Sequence, residues 1–532
     1  MRLIRLLLIA AACCAAALAH RKALMSPSKL ASLACLVLFA TVWVGASAQT
    51  SRANPVAPNL GAPPHGAEVE RPPTVAAASD QYQRHFWFMG SRRTSHGLAR
   101  DKYYAAYIES RRRLALRANN KTAAPSGPFD QLSWTSVAPG PVRVGSNVYS
   151  GRATSLAIDP ANPGTLYLGT AGGGLWKSTD AGAQWQPLTD TQASLVIGAV
   201  TVDPNNPQIV WAGTGEPDFS VDSYFGQGLL KSTDGGSNWQ LIRTPFTSGD
   251  TAADFNAIAV QPGNSNVVLA GNTAGVYRSG DGGATWKPVI SGVNATVLFD
   301  RVQPNVVYAG LGSTNATPAP IVKSTDGGLT WAAASGTGSG ALPSNALRVA
   351  LAEDSTGTTL YAAIAQNTFT GAGYLYKSAD GGATWTALSG TPGGDGPDWY
   401  RCGIVVIPGT HVLYTTGVRL WQSLDGGATW ASVGPALWAD QHGLAAAADG
   451  SALYVTDDGG VFLAAAPAAA NPSFVSLNAT LSTMTFYPHF AVVPNSGGDV
   501  LAGAQDHGIP MLQAAQSAWV PGDNGRYCGD GG

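Results

Sequence analysis

One eight-residue motif occurs six times between residues 178 and 430 and strongly limits what this chain can fold into. Each copy has Ser at its first position, Asp at the third, Gly at the fifth and Trp at the eighth. Its Asp residues are 54, 47, 45, 54 and 45 residues apart: Asp180, Asp234, Asp281, Asp326, Asp380 and Asp425. This spacing is the length of one four-stranded blade of a β-propeller. The repeat therefore predicts an all-β propeller.

The residue types of the motif suit a tight turn. An Asp carboxylate accepts hydrogen bonds from backbone N–H groups of its own turn, and Gly allows a positive φ. The Trp ring is large enough to fill the space between neighbouring sheets. We therefore predict that the six Asp residues are structural and not catalytic.

Two further strand-rich units follow the sixth motif but lack it. The first spans about 441–479, and the second begins near Phe486. With the six units that carry the motif, they predict seven or eight four-stranded blades. The stretch Leu132–Val137 resembles a stray fourth strand and could close the ring by completing the last blade.

The first 125 residues differ in composition from the repeats. Residues 1–48 are predicted to be a signal-peptide region, because the apolar run Leu30–Val44 precedes Ala46-Ser47-Ala48. A membrane anchor is the alternative, but this run and the earlier apolar run Leu3–Ala19 are each marginal for a span. We expect cleavage after Ala48, export, and no membrane span in the mature chain. The remaining divisions are a Pro/Ala-rich linker at 49–80, a basic and partly helical segment at 81–125, and the propeller at 126–532. The propeller ends inside a predicted blade and could be truncated.

The charge of the chain limits the classes of partner that it can bind, and its cysteine content limits the disulfides that it can form. Only 12% of residues are charged and the net charge is −2, so the chain lacks the basic surface of a nucleic-acid-binding protein. Beyond the leader, two cysteines are present, Cys402 and Cys528. Export permits a disulfide between them, but two buried free thiols fit the sequence equally well.

The motif Ser-x-Asp-x-Gly-x-x-Trp resembles the Asp-box repeats of sialidases, xyloglucan-specific endoglucanases and sortilin-type domains. The similarity covers roughly residues 130–525 and is strongest to exported bacterial proteins of the sortilin-like or glycosyl-hydrolase-like repeat type. The resemblance implies a propeller whose ligand face lies opposite the boxes. It implies little about activity, since the box belongs to the scaffold.

Carboxylates and imidazoles concentrate in loops assigned to that ligand face. The candidate catalytic acids are Asp440, Asp457, Asp458 and Glu216, and the polar candidates for ligand binding are His442, Asp506 and His507. Such a set could hold a divalent cation through oxygen, or act as general acid and base. The alternative is that each Asp caps its own turn. No other cofactor is evident.

Aromatic residues gather in the same loops. Tyr224, Trp399 and Tyr400 are candidates for stacking on sugars, with Trp438 nearby. They could equally serve to pack the loops against the blades.

The sequence departs from the enzymes that it resembles. It has no Phe-Arg-Ile-Pro segment of the sialidase kind, and Arg143, Arg152 and Arg401 form no assignable triad. Ala171 stands where the xyloglucan endoglucanases carry a catalytic Asp. We therefore expect an exported module that binds a glycan or an extracellular protein. A glycoside hydrolase with paired carboxylates and a sortilin-like interaction scaffold are the alternatives.

Overall fold

The computed structural model describes residues 140–521, except 219–222, 249–250, 314–318, 367–373, 390–391, 393–397, 399, 401, 495 and 514–518, and also 93–94, 97–98 and 108–113. Residues 108–113 are helical and lie within the basic segment. The signal region, the linker, Leu132–Val137, Trp399 and Cys528 lie outside the described residues. Among the described residues, no helix has the length and apolar character needed to cross a membrane.

Two hairpins precede the repeats. They are β1 (Arg93–Thr94) with β2 (Gly97–Leu98), and β3 (Val142–Val144) with β4 (Asn147–Tyr149).

Seven four-stranded antiparallel sheets then follow in chain order, and we number them as blades 1 to 7. Blade 1 contains β5 (Ala153–Ile158), β6 (Leu166–Thr170), β7 (Leu175–Ser178) and β8 (Gln186–Pro187). Blade 2 contains β9 (Ile197–Val202), β10 (Val210–Thr214), β11 (Leu229–Ser232) and β12 (Gln240–Ile242). A small hairpin of β13 (Thr247–Ser248) and β14 (Thr251–Ala252) comes next.

The middle blades repeat this order. Blade 3 contains β15 (Phe255–Gln261), β16 (Asn264–Asn272), β17 (Gly275–Ser279) and β18 (Lys287–Ser291). Blade 4 contains β19 (Asn294–Phe299), β20 (Val307–Gly312), β21 (Ile321–Ser324) and β22 (Ala332–Ala333), followed by a 3-10 turn at Gly338–Gly340. Blade 5 contains β23 (Ala346–Glu353), β24 (Leu360–Gln366), β25 (Tyr374–Ser378) and β26 (Thr386–Ala387).

The last two blades complete the ring. Blade 6 contains β27 (Ile404–Val406), β28 (Leu413–Thr415), β29 (Leu420–Ser423) and β30 (Ala431–Val433). Blade 7 contains β31 (Gln441–Ala446), β32 (Leu453–Asp457), β33 (Gly460–Ala464) and β34 (Val475–Ser476). The first strand of each blade packs against the first strand of the next, and β31 packs against β5. The propeller predicted from the repeat is thus confirmed, with seven blades in its ring.

The eighth unit forms a sheet outside this ring. It contributes β35 (Phe486–Val492), β36 (Val500–Ala504), β37 (Pro510–Leu512) and β38 (Trp519–Pro521). These strands continue through a parallel pairing of Val142 with Trp519 into the β3–β4 hairpin, which gives a six-stranded sheet. We call it the eighth sheet.

Apolar side chains fill the gaps between neighbouring blades. Between blades 1 and 7, for example, Leu166 and Leu168 pack with Tyr454 and Val461. The motif tryptophan Trp185 joins this cluster, and its indole N–H donates to the Leu477 carbonyl at 2.9 Å. The Trp therefore occupies the space between sheets, as its size predicted.

The carboxylates and the motifs lie at opposite ends of the blades. Each motif follows the third strand of its blade, whereas Glu216 and Asp458 follow second strands, β10 and β32. Successive strands run antiparallel, so these two sets of loops emerge on opposite faces. We refer to the face that carries Glu216 and Asp458 as the upper face.

Candidate functional site

Arg152 is the centre of a buried charged cluster on the upper face. It directly precedes β5, and its guanidinium contacts carboxylates from three other parts of the fold. Nε lies 2.8 Å from Asp458 Oδ1 of blade 7, and Nη1 lies 2.9 Å from Glu216 Oε1 of blade 2. Nη2 lies 3.1 Å from Asp506 Oδ2 of the eighth sheet. The structure therefore brings together three of the predicted acids around one arginine.

Arg152 and Asp458 hold each other in the charged form. Burial opposes the charge on Arg152, but Asp458 and the other neighbouring groups outweigh that effect and raise the pKa of Arg152 further. Burial likewise opposes ionisation of Asp458, but Arg152 and His442 lower its pKa to about 2. A buried carboxylate bound in this way is a poor proton donor at neutral pH.

His442 extends the cluster toward the centre of the ring. Its Nε2 lies 2.7 Å from Asp458 Oδ1, and its Nδ1 lies 3.5 Å from Asp218 Oδ2. Burial favours the neutral imidazole, but Asp458 and Asp218 outweigh it and raise the pKa of His442. Asp218 in turn pairs with Arg348 Nη1 of blade 5 at 2.8 Å, so the network crosses the mouth of the ring.

Asp457 and Asp440 lie close to the cluster but are held differently. Asp457 is fully buried, and its two oxygens accept the backbone N–H groups of Trp438 at 2.9 Å and Gly459 at 2.8 Å. Burial raises the pKa of Asp457 well above its usual range. Asp440 is buried directly before β31 with a φ of 65°, and its N–H donates to the Val418 carbonyl. The contacts of Asp457 are those of a turn cap.

The second histidine belongs to an aromatic group at the edge of the cluster. The His507 ring stacks on Trp438 with centroids 4.8 Å apart, and Trp438 meets the edge of Tyr149 at 4.6 Å. Burial lowers the pKa of His507, so this imidazole is neutral at physiological pH. Trp438 is half-buried at this position.

The remaining aromatic candidates differ in exposure. Tyr400 is 1% exposed and lies beneath the cluster, with its ring 5.4 Å from the Arg152 guanidinium carbon. This placement suits packing rather than stacking on a ligand. Tyr224 is half-buried, and its carbonyl accepts the N–H of Glu216 at 3.0 Å.

Three members of the network received no role from sequence reasoning. Arg152 was named only within a set of arginines that forms no assignable triad, and Asp218 and Arg348 were not singled out. Asp218 stands two residues after Glu216 in the same loop, which is a signal that could have found it. Arg348 and Arg152 are isolated arginines near the start of first strands, and that position places their side chains at the channel mouth.

A cavity of about 200 Å³ lies in the channel along the ring axis. Its wall includes residues from the first strands of blades 1 to 5 and of blade 7. Asp218, Arg348 and His442 contribute to it from the charged network. Among the described residues, no group of three His, Cys, Asp or Glu side chains is arranged to hold a metal ion.

Comparison with known proteins supports the fold and a glycosyl-hydrolase-like propeller. No protein-family model matches the chain. It is 28% identical over 257 residues to a xyloglucanase of Paenibacillus, covering 42% of this chain and 24% of that protein. It is 27% identical over 255 residues to a xyloglucanase of Hypocrea jecorina, covering 46% and 27%. The chain therefore spans about a quarter of the length of these curated relatives.

Comparison with solved structures also supports the propeller fold. The GH74 xyloglucanase from Xanthomonas campestris superposes with a TM-score of 0.57 at 20% identity, covering 73% of this chain and 61% of that one. A GH74 enzyme from Niastella koreensis gives 0.54 at 20% identity, covering 71% and 61%. The chain is thus a β-propeller similar to those of glycoside hydrolases.

Proposed function

We propose that this propeller binds a glycan on its upper face without cleaving it, and that xyloglucan is the first glycan to test. The choice of xyloglucan rests on the names of the curated relatives. The absence of cleavage rests on the geometry of the acids.

The observation that carries the proposal is the engagement of these carboxylates by Arg152 and by backbone N–H groups. Glycoside hydrolysis needs two opposed carboxyl groups, one of them able to donate a proton. Glu216 and Asp458 are instead paired with Arg152 in a buried cluster. Asp457 accepts two backbone N–H groups and is fully buried. Ala171 supplies no carboxylate where the resemblance would place one.

Trp438 is the residue that we expect to contact the glycan. It is half-buried beside the cluster, and aromatic rings with apolar faces suit the apolar faces of sugars. Binding therefore depends on this ring, while the charged cluster fixes the loops around it.

The test compares two tryptophan variants by affinity electrophoresis in gels that contain xyloglucan. Trp438→Ala should weaken binding at least tenfold. Trp239→Ala is the matched control, because Trp239 is also half-buried but lies in a motif turn on the opposite face. Both variants are first checked for wild-type circular dichroism. Unretarded migration of the wild-type protein would exclude xyloglucan, and equal binding by both variants would place the glycan elsewhere.

Hydrolysis is the second candidate function, favoured by the xyloglucanase relatives. A reducing-sugar assay on xyloglucan should show no release above a heat-treated sample. If release is seen and Asp458→Asn abolishes it, the protein is a hydrolase and the pairing with Arg152 is rearranged when substrate binds.

A further inference from the structure

We infer that the channel cavity is a binding site for a single neutral sugar unit, of pentose or hexose size. Within the chain, this site is separate from the Trp438 surface. The class of ligand rests on the proposed function, whereas the existence of the site rests on the cavity itself.

The size of the cavity limits the ligand to a small molecule. Its volume of about 200 Å³ is below the roughly 300–1,000 Å³ typical of sites for drug-sized ligands. A monosaccharide fits this volume and an oligosaccharide does not.

The charged groups in the wall of the cavity balance one another. Asp218 Oδ1 lies 2.8 Å from Arg348 Nη1, so the carboxylate and the guanidinium oppose each other's charge. A small anion would meet the Asp218 carboxylate, and a small cation would meet the Arg348 guanidinium. Thr154, Asn256 and Thr296 add neutral polar groups to the wall. These surroundings favour a neutral ligand that carries hydroxyl groups.

One pair of buried atoms offers a place for such a hydroxyl. Within the part of the chain that the structure describes, His442 Nδ1 makes no hydrogen bond, although the imidazole side chain is 97% buried. It lies 3.5 Å from Asp218 Oδ2, which is longer than a normal hydrogen bond. A ligand hydroxyl beside both atoms can accept from the Nδ1–H of His442 and donate to the carboxylate. This contact satisfies a buried polar group that otherwise carries a desolvation cost.

The apolar part of the wall comes mainly from the first strands of blades 3 to 5, with Gly198, Pro217 and Cys402 beside them. Sugars bind well where apolar side chains meet their C–H faces and a few polar groups meet their hydroxyls. For about a dozen ligand atoms we expect a dissociation constant on the order of 1 mM.

Isothermal titration with D-glucose, D-xylose and D-galactose tests this site in the whole chain. We expect saturable binding of at least one of them. Ala257→Leu adds volume at the cavity wall and should weaken binding at least tenfold. Ala332→Leu is the matched control, because Ala332 is exposed on β22, the outermost strand of blade 4, and should leave the affinity unchanged.

The outcomes separate this inference from the proposed function. If no monosaccharide binds at ~100 mM, about a hundred times the expected dissociation constant, while xyloglucan still retards the protein, the channel site is excluded and the upper-face site stands. If Ala257→Leu binds as tightly as wild type with wild-type circular dichroism, the sugar lies outside the channel and the inference is wrong. If a monosaccharide binds and Ala257→Leu alone weakens it, the inference holds even where xyloglucan fails to bind.

Discussion

Ser324 shows how a single residue organises one of the motif turns. Its hydroxyl donates to Asp326 Oδ1 at 2.7 Å and accepts the N–H of Gly328 at 2.9 Å. Asp326 Oδ1 also accepts the N–H of Thr330 at 2.9 Å. These contacts close the turn within a few residues, and equivalent contacts of the serine and the aspartate recur in the other five motifs. These contacts hold each Asp carboxylate within its own turn.

Replacing this buried serine should destabilise the protein. Ser324→Ala leaves the N–H of Gly328 without its acceptor, so we expect a loss of about 1–3 kcal/mol in the free energy of unfolding. Urea denaturation measures it. Ser237→Ala is the control, because Ser237 is exposed in the turn of blade 2 and donates only to the Asp234 carbonyl. Equal midpoints for the two variants would show that the serine does not hold the turn.

The protonation of His442 should make stability depend on pH. Asp458 and Asp218 face its two nitrogens, and Arg152 and the Tyr400 ring complete its surroundings. Because the pKa of His442 is raised from 6.5 in the folded state, its contribution is fully present below pH 6.5. That contribution is lost as the pH rises through the raised value.

This pH dependence is tested by following the free energy of unfolding between pH 5 and pH 9, roughly the range in which histidines titrate. The free energy of unfolding of the wild-type protein should decrease as the pH rises, and this decrease should be smaller in His442→Gln. His411→Gln is the control, since His411 is exposed on the surface. A fall of the same size in His442→Gln and in wild type would contradict the assignment.

Neighbouring blades are also joined by a contact that repeats from one element to the next. The residue before the motif serine reaches a glycine carbonyl in the motif of the following blade. Lys177 Nζ donates to Gly235 O at 2.8 Å, and Lys231 Nζ donates to Gly282 O at 2.6 Å. The Lys231 ammonium also lies 4.9 Å from the centre of the Trp211 ring. The motif turn therefore serves as an acceptor for the preceding blade as well as a local turn.

Removing one of these contacts should lower the free energy of unfolding by less than removing a buried hydrogen-bonding group does. We expect Lys231→Met to lower the free energy of unfolding by about 1 kcal/mol, because the ammonium is only partly buried and the apolar stem is kept. Lys287→Met is the control, since Lys287 is exposed on β18. Urea denaturation of both variants gives the comparison, and a larger loss in Lys287→Met would refute this role of Lys231.

At the scale of the whole molecule, no described strand is shared between the first and last blades where the ring closes. Blades 1 and 7 are each built from one continuous stretch of chain. They meet through the apolar cluster around Trp185 and through the pairing of Arg152 with Asp458. Arg152 also joins blade 2 and the eighth sheet. One buried side chain thus connects four sheets at the point of closure.

Truncating that side chain should destabilise the whole ring. Arg152→Met leaves Glu216 and Asp458 buried without their main counter-charge, which typically costs about 3–5 kcal/mol. Arg113→Met should change stability little, because Arg113 is exposed in its pair with Glu109. Urea denaturation measures both. Similar urea midpoints for Arg152→Met and Arg113→Met would mean that the charged cluster does not stabilise the closed ring.

The sequence by itself determined the fold class, because contacts between residues close in sequence define the repeating unit of the fold. Each motif turn forms from residues at most four positions apart, and each blade strand pairs with the next along the chain. A periodic spacing of such turns is visible without any knowledge of distant contacts. The same reasoning correctly separated the two faces, since strand direction alternates within a blade.

The tertiary structure alone decided the number of blades and the centre of the site. The unit that begins at Phe486 has strands like those of a blade, but the ring is already closed when β31 packs against β5. Glu216, Asp458 and Asp506 were predicted as acids, yet their common partner Arg152 is distant in sequence from all three. An isolated arginine gives no local signal of the carboxylates that it will meet. Ring closure brings them within hydrogen-bond distance of Arg152, where they form a largely buried cluster of opposite charges.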